Sequence, residues 1–310
     1  MIANTIAQAL EAEQPTYVGG GTDLMPLFKN RVRDSRELVF LGELEELKGI
    51  RHTGGCLYIG AAETLTSIAG SELVRRLCPA VAQAAAATAS LQIRNIATLG
   101  GNIMQDRRCI YYNQSLFWRS ALPLCFKTGG SVCHQIPNSP VCRAIYYSDV
   151  ATALVMYQAE AELIENGRQY WLSVEELIAR HSQANGLSDR QRLPILVLRF
   201  RIPEPPEREC SGFYKYAMRA SIDFPLINFA LRCGGSRPAR VVAGAVAPAP
   251  VLLEKTADML NQESPAQEAV ISCCEAELKT LALPIREACI PPQEKRELYK
   301  HISYLLKRLL

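Results

Sequence analysis

Short apolar runs separated by polar and glycine-rich residues fill the first hundred positions, a pattern that predicts many short elements and few long ones. The predicted elements are a helix at 5–13, strands at 16–18, 37–41 and 57–59, a helical turn at 24–28, and one or two alanine-rich helices within 71–89. Asn4 can cap the first helix, and Pro15 ends it. Helices and strands interleave without the regular βαβ order of a parallel sheet, so we expect an α+β fold.

The second half shows the same mixture. A helix is predicted near 149–156, and Asn166-Gly167 between two β-rich runs predicts a hairpin of strands 160–164 and 169–172. Ser173 and Glu176 form a capping box for the next helix. Further strands are expected at 195–202, 212–218, 226–233 and 240–246, and helices at 251–260, 265–281 and 293–309. The Pro-Glu-Pro-Pro run at 203–206 breaks regular structure, so we expect one domain at 1–205 and a smaller α+β domain at 206–310.

Composition narrows the function classes. The 310 residues carry 34 basic and 31 acidic side chains, a formal net charge of +3, which gives no reason to expect a nucleic-acid partner. No apolar run is long enough for a membrane span, and residues 1–15 do not resemble a secretory signal. We therefore expect a cytoplasmic protein. The sequence motifs of serine hydrolases, zinc proteases and P-loop NTPases are missing.

Two glycine loops are candidate anion sites. Residues 19–23, Gly-Gly-Gly-Thr-Asp, follow the first predicted strand, and residues 98–102 read Thr-Leu-Gly-Gly-Asn. Glycine runs let successive backbone N–H groups turn toward one anion, and two such loops suit the two halves of a diphosphate. Each loop taken alone is better explained as an ordinary turn. Neither has the G-x-G-x-x-G spacing, so a Rossmann fold is not expected.

A cysteine cluster is the second candidate site. The chain has 11 cysteines, and Cys109, Cys125, Cys133 and Cys142 fall within a segment at about 104–147 that lacks sustained periodicity. A connection this long needs an organiser other than a hydrophobic face. The spacings lack the short C-x-x-C pairs of structural zinc sites, which favours an iron–sulfur cluster over zinc. Disulfides, coincidence and a substituting His134 ligand stay open.

Longer motifs identify a family resemblance. Tyr-Val-Gly-Gly-Gly-Thr-Asp-Leu at 17–24, Leu-Tyr-Ile-Gly-Ala at 57–61, Gln-Ile-Arg-Asn-Ile-Ala-Thr-Leu-Gly-Gly-Asn-Ile at 92–103 and Val-Val-Ala-Gly-Ala-Val-Ala-Pro at 241–248 resemble the FAD-binding subunits of molybdenum hydroxylases, the xanthine and carbon monoxide dehydrogenase family. The resemblance implies an oxidoreductase subunit. It also implies a two-subdomain FAD-binding domain of the PCMH type, followed by a C-terminal domain of the carbon monoxide dehydrogenase flavoprotein type.

The resemblance also implies site residues. The flavin contacts would be Thr16, Tyr17, Val18, Gly19, Gly20, Gly21, Thr22, Asp23, Thr88, Thr98, Leu99, Gly100, Gly101, Asn102, Asp149 and Lys215. The first glycine loop has no His or Cys for covalent attachment, so FAD is expected to dissociate. No catalytic side chain is assigned, because the cofactors carry the chemistry.

The cysteine segment resembles the insert of 4-hydroxybenzoyl-CoA reductase β subunits, which implies one 4Fe-4S cluster on Cys109, Cys125, Cys133 and Cys142. Implied partners are a molybdenum-cofactor subunit, a 2Fe-2S subunit and an external ferredoxin-like electron carrier. Two alternatives are kept: an FAD subunit of an enzyme that oxidises aldehydes, purines or other heteroaromatics, and a zinc-binding interaction module without a redox role.

Overall fold

Three sheets organise the molecule. The computed structural model describes residues 1–33, 37–183, 194–219, 222–263, 265–287, 290–301 and 305. Strands β1 (Thr16–Val18) and β2 (Leu38–Phe40) form a small parallel sheet, and both other sheets are antiparallel. Within the described residues no larger parallel sheet occurs. The predicted α+β class is therefore confirmed, and the expectation of a fold other than Rossmann agrees with it.

A five-stranded sheet forms the centre of the N-terminal part. Its strands are β3 (Ile50–Thr53), β4 (Cys56–Gly60), β5 (Glu160–Glu165), β6 (Arg168–Ser173) and β7 (Ile195–Pro203), in the order β3-β4-β7-β5-β6. The predicted hairpin at Asn166-Gly167 is present, with φ of 51° and 73° at its two turn residues. These positive angles are those of the turn that matches strand twist. The short strand β3 is absent from the prediction.

Short helices surround this sheet. They are α1 (Ile6–Leu10), α2 (Leu24–Lys29), α3 (Leu65–Gly70), α4 (Glu72–Leu77), α5 (Pro79–Ala87), α6 (Leu91–Arg94), α7 (Leu99–Ile103), α8 (Leu116–Arg119), α9 (Asp149–Met156) and α10 (Val174–Gln183). The prediction for the first helix was wrong in detail: it is capped by Thr5, whose Oγ1 accepts from Gln8 N at 3.1 Å, and it ends at residue 10. The capping box before α10 is confirmed, since Ser173 and Glu176 exchange hydrogen bonds.

The C-terminal part is a four-stranded sheet with helices on one side. It contains β8 (Cys210–Tyr216), β9 (Ile227–Cys233), β10 (Arg240–Gly244) and β11 (Val251–Leu252), followed by α11 (Glu254–Leu260), α12 (Gln267–Leu281) and α13 (Pro292–Glu297). The helix predicted at 251–260 was wrong at its start, because residues 251–252 pair with β10 as a strand. The helix predicted at 293–309 runs only to 297, a 3₁₀ turn follows at Leu298–His301, and 302–304 and 306–310 lie outside the described residues.

Helices α5 and α9 lie at the junction of the two parts. All 8 residues of α9 are buried, and the same hydrophobic cluster includes Phe200 of the five-stranded sheet and Phe213, Ala230 and Val242 of the four-stranded sheet. A largely apolar helix such as this one is expected in an interior position, and its buried polar side chains need partners there. In the described part of the chain, no helix combines the length and apolar character needed to cross a membrane.

A buried polar cluster ties α9 to the C-terminal sheet. Lys215 Nζ lies 2.9 Å from Asp149 Oδ2 and also donates to Ala87 O at 2.9 Å. Asn228 Nδ2 donates to the other Asp149 oxygen at 2.7 Å, and Thr152 Oγ1 donates to Asn228 at 2.9 Å. Burial raises the pKa of Asp149, and the Lys215 ammonium opposes that rise. The lysine therefore offsets part of the cost of burying this carboxyl group.

We expect Lys215→Met to lower the free energy of unfolding by about 3 kcal/mol at neutral pH, because it leaves the buried Asp149 carboxylate without its charged partner. Without the ammonium, the folded-state pKa of Asp149 rises further above its unfolded-state value. The loss should therefore be largest at neutral pH and shrink as the pH falls through the raised folded-state pKa of Asp149 in the variant, where the buried carboxyl takes up a proton.

Urea unfolding of both proteins across this pH range measures the effect. Lys48→Met is the control, because Lys48 pairs with Glu45 at the surface and should cost less than about 1 kcal/mol. Equal losses for the two variants, or a loss at position 215 that does not depend on pH, would contradict the assignment.

Candidate functional site

One large cavity lies between the parallel β1–β2 pair and the five-stranded sheet. Its volume is about 510 Å³, within the range of small-molecule and cofactor sites. Most residues assigned by resemblance to the flavin line it: Thr16, Tyr17, Val18, Gly19, Gly20, Gly21, Thr22, Asp23, Thr98, Gly100 and Gly101. Both predicted glycine loops thus meet in one cavity.

The first glycine loop packs against residues 96–98, which directly precede α7. A Cβ on Gly20 would lie 1.7 Å from Ile96 O, and one on Gly19 would lie 2.2 Å from Thr98 Oγ1. Side chains at these two positions are therefore excluded by the neighbouring loop itself. Within the described residues, the backbone N–H groups of Gly20, Gly21 and Thr22 have no protein acceptor. They are available to an anion in the cavity.

The second loop contributes shape, not free donors. Its N–H groups are already used: Leu99 N donates to Glu63 O at 2.9 Å, Gly100 N to Ala61 O at 2.8 Å, and Gly101 N to Thr98 Oγ1 at 3.2 Å. Among the described residues, N–H groups without a protein acceptor are therefore found in the first loop, and diphosphate binding by either loop stays a prediction. Gly100 and Gly101 nevertheless line the cavity, and a Cβ at Gly100 would lie only 3.0 Å from Ala61 O.

Several cavity residues were missed by the sequence analysis. Charged ones are Arg33, Asp106, Glu165, Arg180 and His181; apolar ones include Leu41, Leu47, Ala61, Ala62, Met104, Ile195 and Val197. Arg180 pairs with Glu165 at 3.4 Å, which joins α10 to the end of β5. These residues come from distant segments without a shared motif, so only the assembled fold places them together.

Other residues assigned by resemblance do not line this cavity. Leu99 is fully buried in the core, and Asn102 accepts from Ser148 Oγ at 2.6 Å. Asp149 and Lys215 form the buried ion pair described above, and Thr88 donates to Ala84 O at 2.9 Å and lies beside Asp149. These side chains position α7 and α9 around the site.

The four clustered cysteines surround a second, much smaller cavity. Cys109, Cys125, Cys133 and Cys142 all line it, and its volume is about 20 Å³. No disulfide links the cysteines of the described chain. The segment that carries them contains only α8 and a 3₁₀ turn at Phe126–Thr128, in agreement with its lack of periodicity. The sequence prediction that these cysteines lie together is therefore supported by their position.

Hydrogen-bond donors point at three of the four sulfurs. Cys109 Sγ accepts from Tyr111 N at 3.4 Å and from Gln135 Nε2 at 3.6 Å. Cys125 Sγ accepts from the Thr128 hydroxyl at 3.7 Å, and Cys142 Sγ from Ala144 N at 3.5 Å. Such donors stabilise a negatively charged sulfur and surround the thiolates of iron–sulfur clusters. Burial acts in the opposite direction and raises the pKa of the Cys109 thiol.

Size limits what the cysteine cavity can hold in this conformation. A volume of about 20 Å³ admits little more than one water molecule. Among the described residues, no group of three or more His, Cys, Asp or Glu side chains is arranged to bind a metal ion. The ligand types suit an iron–sulfur cluster, but in this conformation the four sulfurs are not arranged as a set of metal ligands. The His134 ring lies 5.6 Å from that of Tyr111 at an interplanar angle of 44°, and its Nε2 donates to Pro123 O at 2.8 Å.

Comparisons with known proteins indicate that this chain binds FAD. The family described as "FAD binding domain in molybdopterin dehydrogenase" matches residues 2–205. The xanthine dehydrogenase FAD-binding subunit of Escherichia coli O157:H7 is 26% identical over 269 residues, 85% of this chain and 77% of that protein. The aldehyde oxidoreductase FAD-binding subunit PaoB of Escherichia coli K12 is 28% identical over 278 residues, 85% of this chain and 86% of that protein.

The fold has a close counterpart among solved structures. A chain of the Cu,Mo-CO dehydrogenase superposes with a TM-score of 0.73 over 99% of this chain and 96% of its own length. Its identity is 20%, so the likeness concerns the fold, which includes the PCMH-like arrangement expected from the motifs. The glycine loops and the cavity agree with the family match at residues 2–205, and the chain belongs to the family of FAD-binding domains of molybdopterin dehydrogenases.

Proposed function

We propose that this chain is the FAD-carrying subunit of a molybdenum hydroxylase, that it also binds one 4Fe-4S cluster, and that it passes electrons between an external ferredoxin-like carrier and the centres of its partner subunits. The partners are a molybdenum-cofactor subunit and a 2Fe-2S subunit of a cytoplasmic complex. We further propose that residues 1–205 form the FAD-binding domain and 206–310 a C-terminal domain. The observation that carries the proposal is the meeting of the glycine loops in one cofactor-sized cavity.

The residues of the chain have distinct tasks in FAD binding. The N–H groups of Gly20, Gly21 and Thr22 hold the diphosphate, and Thr98, Gly100 and Gly101 shape the wall beside it. The apolar residues of the cavity exclude water from the rings of the cofactor. When bound, FAD supplies redox chemistry that exchanges two electrons in single steps. The protein contributes orientation and electrostatics.

The 4Fe-4S cluster and the likeness to 4-hydroxybenzoyl-CoA reductase rest on the cysteine segment. Four cysteines around one cavity, with N–H and O–H donors at three sulfurs, are the supporting observations. The cluster would add a one-electron carrier to the chain. In an enzyme of that type, electrons would move from reduced ferredoxin toward molybdenum.

A second candidate is an FAD subunit of a xanthine- or aldehyde-oxidising enzyme, in which electrons leave through the flavin. The relatives of this name cover most of the chain, which favours it. A zinc-binding interaction module would account for the cysteines but would not explain why residues 2–205 match an FAD-binding domain. The metal content distinguishes these possibilities.

We expect the anaerobically purified full chain to contain one FAD and about four iron and four acid-labile sulfide atoms. Cys125→Ser should remove the iron and the broad visible absorption but leave FAD bound, because that cysteine lies outside the large cavity. Cys56→Ser is the control, since Cys56 is half-buried on β4 away from the segment. Zinc in place of iron, or equal iron in both variants, would contradict the cluster assignment.

Gly20→Val should abolish FAD binding and leave the iron in place. A side chain at position 20 would collide with Ile96 O and force apart the two loops that face the cavity. Gly42→Val is the matched control, because a Cβ at Gly42 has no atom within 4 Å. Released flavin measured by fluorescence after denaturation reports occupancy, and retention of FAD by the Gly20 variant would refute the role of the first loop.

A further inference from the structure

Arg108 connects the two candidate sites. It directly precedes Cys109, and its guanidinium forms an ion pair with Asp23 of the first glycine loop. Its backbone is fixed by a bridge to Ile145 at the far end of the cysteine segment, with N–O distances of 2.7 and 3.0 Å. The guanidinium carbon also lies 4.9 Å from the ring centroid of Phe224. The Arg108 side chain thus contacts both the first glycine loop and Phe224 of the C-terminal part. Its backbone is hydrogen-bonded to Ile145 and so joins the two ends of the cysteine segment.

Asp23, the acidic partner of Arg108, lines the large cavity. It lines that cavity immediately after the N–H groups of Gly21 and Thr22, whereas Arg108 does not line it. The second Asp23 oxygen accepts from Asp106 N at 3.4 Å. Both partners of the ion pair are about one fifth exposed, so the pair is shielded from solvent more than a surface pair is.

We propose that Arg108 is a positioning residue that couples occupancy of the FAD cavity to order in the cysteine segment. By holding Asp23, it fixes the end of the diphosphate-binding loop, and through its own backbone it fixes Cys109 at the rim of the smaller cavity. Coupling between sites is reciprocal, so FAD must order the segment by as much as the ordered segment strengthens FAD binding. The inference rests on the proposed function in one respect, namely that FAD occupies the large cavity.

A second anchor of the same segment offers a matched control. Arg119 Nη2 donates to Arg31 O at 2.6 Å, and Leu116 N donates to Asn30 O at 3.1 Å. These bonds hold the segment to the end of α2. Arg119 has the same residue type and the same segment as Arg108, but its hydrogen bonds go to the backbone of Arg31 and Gln114, not to Asp23.

The first measurement is FAD affinity of the full chain, after flavin removal, by quenching of flavin fluorescence. Arg108→Gln should weaken binding about tenfold although the residue lies outside the cavity, and Arg119→Gln less than about twofold. Arg108→Lys, which keeps the charge, should recover part of the loss. Asp23→Asn combined with Arg108→Gln should weaken binding no more than Asp23→Asn alone. Additive losses, or equal losses for the Arg108 and Arg119 variants, would overturn the inference.

The second measurement is hydrogen exchange of residues 107–145 with and without FAD. FAD should slow exchange in the segment in wild type and in Arg119→Gln, and should have no such effect in Arg108→Gln. Exchange in β9 and β10 should be the same in all three proteins, which separates loss of coupling from misfolding. A wild-type chain that binds no FAD would overturn both the proposed function and the inference. FAD binding that protects the Arg108 variant as well as wild type would overturn the inference alone.

Discussion

The site depends on a close approach between two pieces of backbone. The carbonyl of Ile96 occupies the space that a side chain at Gly20 would need, and Thr98 does the same at Gly19. Only glycine allows this contact. Through it, the loop that follows β1 and the start of α7 together form one wall of the large cavity. The donors of the first loop are free to meet a diphosphate because the second loop supports that loop through packing and takes none of its N–H groups.

The consequences of this arrangement reach beyond the large cavity. The chain continues from the first loop into Asp23, and Asp23 contacts the segment that carries the cysteines through Arg108 and Asp106. That segment is also hydrogen-bonded to the C-terminal part, where Gln135 and Arg286 exchange two hydrogen bonds of 3.0 Å. The cysteine segment is therefore built into the structure between the FAD-binding loop and the second half of the molecule.

Much of the fold and part of the site could be predicted from local signals. The hairpin at Asn166-Gly167, helix α9 and the first glycine loop follow from turn chemistry, apolar periodicity and the absence of side chains, which act over a few residues. The donors of the second loop could not be judged this way, because their acceptors, Ala61 and Glu63, come from another segment. Arg180 and His181 reach the cavity from a helix about 160 residues after the loop, so only the assembled sheet reveals them. The family resemblance predicted Asp149 and Lys215 as flavin contacts, whereas in the structure they form a buried ion pair of 2.9 Å outside the lining of the large cavity, so a contact with flavin stays a prediction.

We propose that FAD and an iron–sulfur cluster occupy separate places in this chain. A crystal structure of the anaerobically purified full chain, with anomalous data collected at the iron edge, tests it most directly. We expect flavin density in the cavity beside Gly20, Gly21 and Thr22, and an iron peak enclosed by Cys109, Cys125, Cys133 and Cys142. An empty large cavity, or an anomalous signal without iron among those four sulfurs, would contradict it.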